Sequence, residues 1–562
     1  MLKKSLFLGV LIWAGSAWAA SAQEAIDLDM INRIRDQGFH HSQVVEILRH
    51  LTDDIGPRLT GSPQMRKANR WTRDRFAGWG LKNAHLEAFD FGRGWSFSKA
   101  SVRMIAPHQV PLIALPKAWT PGTDGPIRGA VMKVAIDAEE DFARYHGKLS
   151  GKIVMLDPMR PFKEPSNEVF VRFTEQQLAE LAVFKQPDAR RREGRLIWLR
   201  GRLFRQKLYK FLAEEGVAAA INISGRDGGL IRVMGYTYRP GTAPTFPVLV
   251  MASEHYDRIL RLLDDGTDVT LEIDVAARFY DDNPKAFNTI AEIPGHGHKP
   301  EIVMAGAHLD SWHGGTGAVD NGAGSAVVME AARILKTLGV TPRRTIRFAL
   351  WSGEEQGLLG SHAYVSRHFA SRPEPEDPAQ KDLPYFLREP TWPLHIKPDH
   401  KRLSAYFNID NGSGRIRGIY GEENVAAKSI FATWFLPFRD LEAEVETLRG
   451  TGGTDHLSFD RVGLPGFQFV QDRLDYSSRL HHTNIDTFDH IQPDDLKQAS
   501  VIMAAFLYHA AMREKPLPRK PLPVAPSAAE KVQREKEHQQ AIEEHERKFK
   551  RRRYWDELPP HP

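Results

Sequence analysis

Apolar runs in the second half of this 562-residue chain repeatedly stop within a few residues of a histidine or an acid. That pattern restricts the fold more than any bulk property does. Ile302-Val303-Met304-Ala305-Gly306 leads to His308, Arg344 through Trp351 leads to Glu354 and Glu355, and Leu403 through Ile409 leads to Asp410. Helix-like stretches intervene at Ala323 to Leu338 and from about Leu358 to His368. Gly466 to Val470 supplies another strand, and Asp494 to Met512 a final packed helix. The alternation predicts an α/β fold, a mixed central sheet flanked by helices, whose strand ends and following loops carry the site.

Composition narrows the chemistry. With 41% hydrophobic and 10% aromatic residues the chain can build substantial cores, and its length suits a large catalytic domain plus at least one accessory domain. There are no cysteines, so metal ligation must come from His, Asp and Glu, and neither a disulfide scaffold nor a lipidated cysteine is available. The formal charge of +5, much of it in a basic C-terminal tail, does not argue for nucleic acid.

Lys3 and Lys4 precede an apolar run from Leu6 to Ala14, and small residues then offer cleavage after Ala17-Trp18-Ala19 or Ala20-Ser21-Ala22. Residues 1–22 therefore predict an exported signal peptide and a periplasmic or secreted destination, with an uncleaved anchor as the alternative. No later segment supplies about 20 uninterrupted apolar residues, so no stable membrane insertion is expected after cleavage.

The rest divides by pattern. Residues 23–124 hold N-terminal helices, two of them expected within 28–85, and the first part of the main domain. From 125 to 280, strand candidates at Ile127 to Val134, Lys152 to Leu156 and Ala218 to Ile223, with a helix at Leu208 to Glu215, predict a small inserted domain. Its polar excursion around Arg190-Arg191-Arg192-Glu193 reads as a solvated surface extension. Residues 281–513 carry the chemistry, and 514–562 form a Pro-rich spacer and a charged helix-like tail that could pack back through Tyr554 and Trp555.

His308, Asp320, Glu355, Asp410 and His482 are the candidate metal ligands. Singly each has an ordinary explanation: a hydrogen-bonded core histidine, a turn cap, a loop organiser. Together they can hold two Zn²⁺ ions, with Asp320, in a Gly-rich turn, the leading bridge. Asp310, two residues after His308, could orient the second nitrogen of that ring. Glu354, adjacent to Glu355, is free to act as a base; the plain alternative is a pair of exposed acids at a helix start.

The motifs Gly306-Ala307-His308-Leu309-Asp310-Ser311, Gly317 to Gly324, Trp351-Ser352-Gly353-Glu354-Glu355-Gln356-Gly357, Asn408-Ile409-Asp410 and His482 to Thr487 stand in an order that resembles the M28 family of zinc metallopeptidases. The resemblance implies a zinc exopeptidase fold and an inserted β-rich domain of the protease-associated type. It assigns His308 and Asp410 to one zinc, Glu355 and His482 to the other, and Asp320 to both. It makes Glu354 the catalytic base and Asp310 the residue that orients His308. Gly56 to Ser62 is similar to an early loop of the family, and Asp455 or His456 could shape the substrate cleft.

The leading expectation is an aminopeptidase hydrolysing N-terminal peptide bonds with a metal-activated water and Glu354. The alternative is a carboxypeptidase or dipeptidase similar to carboxypeptidase Q, because the same metal chemistry serves either terminus. A cyclase-like transferase and a non-enzymatic binding protein explain the motifs less well. The expected partner is a peptide substrate, and homo-oligomerisation stays open.

Overall fold

Ile302–His308 is buried at every position, as a central strand with both faces covered must be. The computed structural model describes residues 24–161, 168–185, 190–241, 244–298, 300–381 and 383–549. The expected signal peptide, Tyr554 and Trp555 lie outside the described residues, as do the side chains of Arg190 to Glu193.

Eight strands form the main sheet in the order Lys82–Asp90, Lys285–Ile293, Thr345–Trp351, Ile302–His308, Leu403–Asn408, Gly466–Gln471, Ile416–Tyr420 and Val445–Thr447. The four central strands from Thr345–Trp351 to Gly466–Gln471 are mutually parallel, and antiparallel pairing appears toward both sides. This is the mixed α/β sheet expected from the sequence. Helices Ala323–Thr337 and Pro493–Met512 pack on each other and on the Ile302–His308 strand. Both are Ala-rich, which lets their backbones lie close together within the core.

The N-terminal region has three α-helices rather than two: Leu28–His40, Val44–Arg49 and Pro63–Gly78. Ser62 Oγ accepts a hydrogen bond from Met65 N at 3.1 Å and Pro63 occupies the first turn, so Ser62-Pro63 starts the third helix cleanly.

A second eight-stranded sheet is ordered Val110–Leu112, Gly94–Ala106, Thr270–Tyr280, Ile127–Lys133, Ile153–Met155, Ala219–Ile223, Val248–Met251 and Ala114–Pro116. It recruits residues 94–116, ahead of the expected start at 125, because Gly94–Ala106 pairs along its length with Thr270–Tyr280. The short alternating segments before 125 gave no separate signal for that long-range pairing.

Several contacts tie accessory parts to the main domain. Arg172 Nη1 reaches Asp472 at 3.0 Å and Asp495 at 2.8 Å, and Val171 pairs with Leu474. The Pro-rich stretch after 513, expected as a spacer, is laid on the surface. Arg344 Nη2 donates to Glu514 O at 2.8 Å, Leu517 N to Ser404 Oγ at 3.0 Å, and Asn424 Nδ2 to Pro518 O at 2.8 Å. Helix Ala528–Phe549 then meets helix Arg190–Glu214. Among the described residues, no helix is long and apolar enough to cross a membrane.

Candidate metal centre

Parallel strands end on one edge of a sheet, and their carboxyl ends gather the donors. His308 stands opposite Trp351 in the ladder, and Gly306 opposite Asn408. Glu354 therefore follows the strand beside His308 by three residues, and Asp410 follows the strand on its other side by two. Asp320 sits in the turn Ala318–Gly322 before helix Ala323–Thr337, and His482 follows the turn Tyr476–Leu480.

All five predicted ligands converge. His308 Nε2 lies 3.1 Å from Asp410 Oδ1 and 3.2 Å from Asp320 Oδ1. His482 Nε2 lies 3.2 Å from Asp320 Oδ2 and 3.0 Å from Glu355 Oε2. The two oxygens of Asp320 thus face different histidines. Glu354 Oε2 is 3.9 Å from His308 Nε2, beside the cluster rather than within its closest contacts.

Asp310 meets His308 mainly through its backbone and uses its carboxylate for a further job. The Nδ1 of His308 meets the backbone oxygen of Asp310 at 3.0 Å, while the nearer carboxylate oxygen stands 3.7 Å away. That carboxylate accepts from Thr60 Oγ1 at 2.9 Å and from the backbone N–H groups of Glu354 and Glu355 at 3.3 Å each. Asp310 therefore positions both glutamates through their peptides, and its main chain positions His308.

Two further groups shape the turn that carries Asp320. Asp486 accepts from Val319 N at 2.7 Å and Asp320 N at 3.2 Å. The buried Arg58 donates to the carbonyl oxygens of Leu309, Thr316 and Gly317, each at 2.7 Å. Gly324 must be glycine for space: a Cβ there would meet Asn321 Oδ1 at 2.3 Å and Ile409 O at 2.6 Å.

Burial opposes charge on every group of the cluster, and the neighbours decide which groups carry it. Asp320 is held well below the usual carboxylate range despite burial, because His308 and His482 face it. His308 is pushed well above the ordinary histidine value, burial being outweighed by Asp410 and Glu354. His482 rises to about 9, where burial is overcome by Glu355 and Asp320. Burial lifts Glu355 to about 7, helped by Asp320 and opposed by His482. Burial also pushes Glu354 well above its ordinary value, with His308 opposing and Asp410, Asp455 and Glu355 adding to it. Such a centre is short of positive charge, which divalent cations supply.

The donors fit such cations. His308, Asp320 and Asp410 offer one group of ligand atoms within 4.8 Å of one another, and Asp320, His481 and His482 offer a second. Among the described residues, Glu355 Oε1 is buried without a hydrogen-bond partner, and Asp320 Oδ2 is buried with no donor aligned on it although His482 Nε2 lies 3.2 Å away. Unsatisfied oxygens of this kind suit direct coordination. The centre is therefore two clustered candidate metal sites sharing one carboxylate.

Sequence reasoning missed His481, whose Nε2 lies 3.8 Å from Asp320 Oδ2; the doubled His481-His482 was the available signal. It also gave no role to Arg58 or Asp486, since a residue that serves backbone groups leaves no spacing pattern. Asp455 and His456 are both fully buried, and His456 Nε2 has its own acidic neighbour, Glu422 Oε1, at 3.3 Å.

Residues 288–507, which contain every predicted ligand, match Peptidase family M28. That segment is an M28 peptidase region. Carboxypeptidase Q from Bos taurus is 27% identical over 501 residues, 89% of this chain and 90% of that protein. A peptidase M28 precursor from Shewanella amazonensis shares the fold at a TM-score of 0.62, with 24% identity over 88% of this chain and 99% of that one. A zinc aminopeptidase from Bacillus subtilis does so at a TM-score of 0.52, with 18% identity over 84% and 95%. The chain thus carries an M28 peptidase region and is an enzyme related to carboxypeptidase Q and to bacterial aminopeptidases, with a distinct inserted β-domain.

Proposed function

We propose that this enzyme is a dinuclear zinc exopeptidase acting as a carboxypeptidase or dipeptidase of the carboxypeptidase Q kind. One observation carries the choice of terminus: the likeness to carboxypeptidase Q runs through 89% of the chain and so includes the inserted domain as well as the metal loops. The aminopeptidase expectation is supported by a Bacillus subtilis aminopeptidase that is 29% identical over only 218 residues, 38% of this chain, and by structural likeness at 18% identity, which speaks for the fold alone.

In this reading His308 and Asp410 would hold one zinc, Glu355 and His482 the other, and Asp320 would contribute to both. Bound zinc supplies Lewis acidity toward the scissile carbonyl and makes water acidic enough to attack at neutral pH. Glu354 takes the proton from the attacking water and returns it to the departing amine. Its position beside His308, outside the closest ligand contacts, leaves it free for that role. Asp310 keeps Glu354 and Glu355 in register through their backbone N–H groups. The reading includes export, with residues 1–22 removed and a mature N-terminus at residue 23, which mass measurement of the secreted protein checks.

The deciding experiment is product mapping on peptides with each end free or blocked. Turnover that survives N-acetylation and is abolished by C-terminal amidation is expected. Turnover abolished by N-acetylation but indifferent to amidation would return the enzyme to the aminopeptidases.

A further inference from the structure

The inserted domain delivers one segment to the metal centre. Between its strands Ala219–Ile223 and Val248–Met251, residues 230–236 run beside the loop that carries His482. Val233 N donates to His482 O at 3.1 Å, Arg232 pairs with Thr483 in an isolated antiparallel bridge, and Ile231 N donates to Asn484 Oδ1 at 2.7 Å. The backbone of Arg232 is therefore fixed against the residue next to a proposed zinc ligand.

Its side chain has no matching partner. Arg160 has Asp227 at 3.3 Å and Ser224 O at 2.9 Å, and Arg226 Nη2 donates to Ser477 O at 2.7 Å. The half-buried Arg232 has no side-chain hydrogen bond or ion pair among the described residues, and its Nε is shut away from solvent. It lies within electrostatic reach of Tyr476, Glu355 and Asp320, yet neither carboxylate approaches as an ion-pair partner, because both already face histidines. Burial pulls the guanidinium below the usual arginine value. With divalent ions in the cluster, the acids next to Arg232 would be engaged still more fully.

We propose that Arg232 receives the free α-carboxylate of the substrate, so that the inserted domain supplies the recognition of the terminus. A guanidinium fork suits a carboxylate in two parallel hydrogen bonds, and pairing with the His482 loop fixes the backbone that presents it. This rests on the carboxypeptidase or dipeptidase reading above and gives it a residue.

The test uses the mature, zinc-loaded enzyme with an alanyl-leucine dipeptide, its C-terminal amide and an alanyl-glutamic acid amide. The wild type is expected to turn over the free acid and to discriminate against the leucine amide. Arg232→Met should raise KM for the free acid by roughly 30-fold, with kcat changed less than about threefold, and should collapse discrimination against the amide. Arg232→Lys, which keeps the charge but loses the fork, should recover part of the KM; this variant also serves if Arg232→Met does not fold. Metal content and thermal midpoint should match the wild type. A wild type that discriminates between acid and amide, with variants that discriminate equally well, overturns the role of Arg232 and leaves the proposed function intact. A wild type indifferent to amidation overturns the proposed function, and this inference with it. A penalty that follows the glutamic acid side chain instead of the terminus overturns the α-carboxylate assignment.

Discussion

Arg58 Nη2 donates to the carbonyl oxygen of Gly317 at 2.7 Å, joining the early Gly-Pro loop to the turn that presents Asp320. The same guanidinium also holds Leu309 O and Thr316 O, so one fully buried side chain spans both loops around the centre. Arg58→Met leaves those carbonyls without donors in the interior. We expect a loss of about 3 kcal/mol in stability, read from urea unfolding, together with weaker metal retention. An unchanged unfolding midpoint would refute this account of Arg58.

Glu354→Gln preserves size and hydrogen bonding but removes the proton acceptor. Turnover should fall by about 10³-fold while both metal equivalents stay bound. Loss of metal in step with activity would instead make Glu354 a ligand.

Asp320 offers one oxygen to each histidine of the pair, at 3.2 Å in both cases. Asp320→Ala should therefore reduce affinity at both positions, whereas Glu355→Ala should act mainly at the one shared with His482. Native mass spectrometry under stepwise chelation separates the two patterns. Retention of two tightly held ions by Asp320→Ala would sink the bridging assignment.

His313, packed against Trp95 and Phe97 from the second sheet, donates to Pro116 O at 2.7 Å, and burial pulls its pKa from the ordinary 6.5 to about 4. The folded state then binds fewer protons than the unfolded chain between these values. Its contribution is complete above about pH 6.5 and is lost as the pH falls toward 4, a change on the order of 3 kcal/mol. His313→Gln should flatten stability over that window in denaturation curves; an equally steep acid limb would show that other groups govern it.

The catalytic half was legible because its signals are local. Each central strand is a short apolar run, and the donors directly follow it, so Ile302–His308, Thr345–Trp351 and Leu403–Asn408 could be read from the residues alone. Ile416–Tyr420 and Val445–Thr447 could not, being brief segments whose strand character comes from pairing with each other and, for the first, with Gly466–Gln471. The ligands were likewise visible as residue types, whereas the work of Arg58, Asp486 and the Asp310 carboxylate is directed at peptide groups. Such contacts depend on where loops finally meet, and a linear pattern carries no record of that.

The lacing of 230–236 onto the His482 loop has a practical corollary. Excising 94–280 to obtain a minimal peptidase would strip Val233 from His482 and Ile231 from Asn484, leaving a catalytic loop with its hydrogen-bonding edge raw. Shortened versions of this enzyme would need a replacement scaffold along that edge, and chimaeras should exchange the insert together with the 482–484 segment as one cassette.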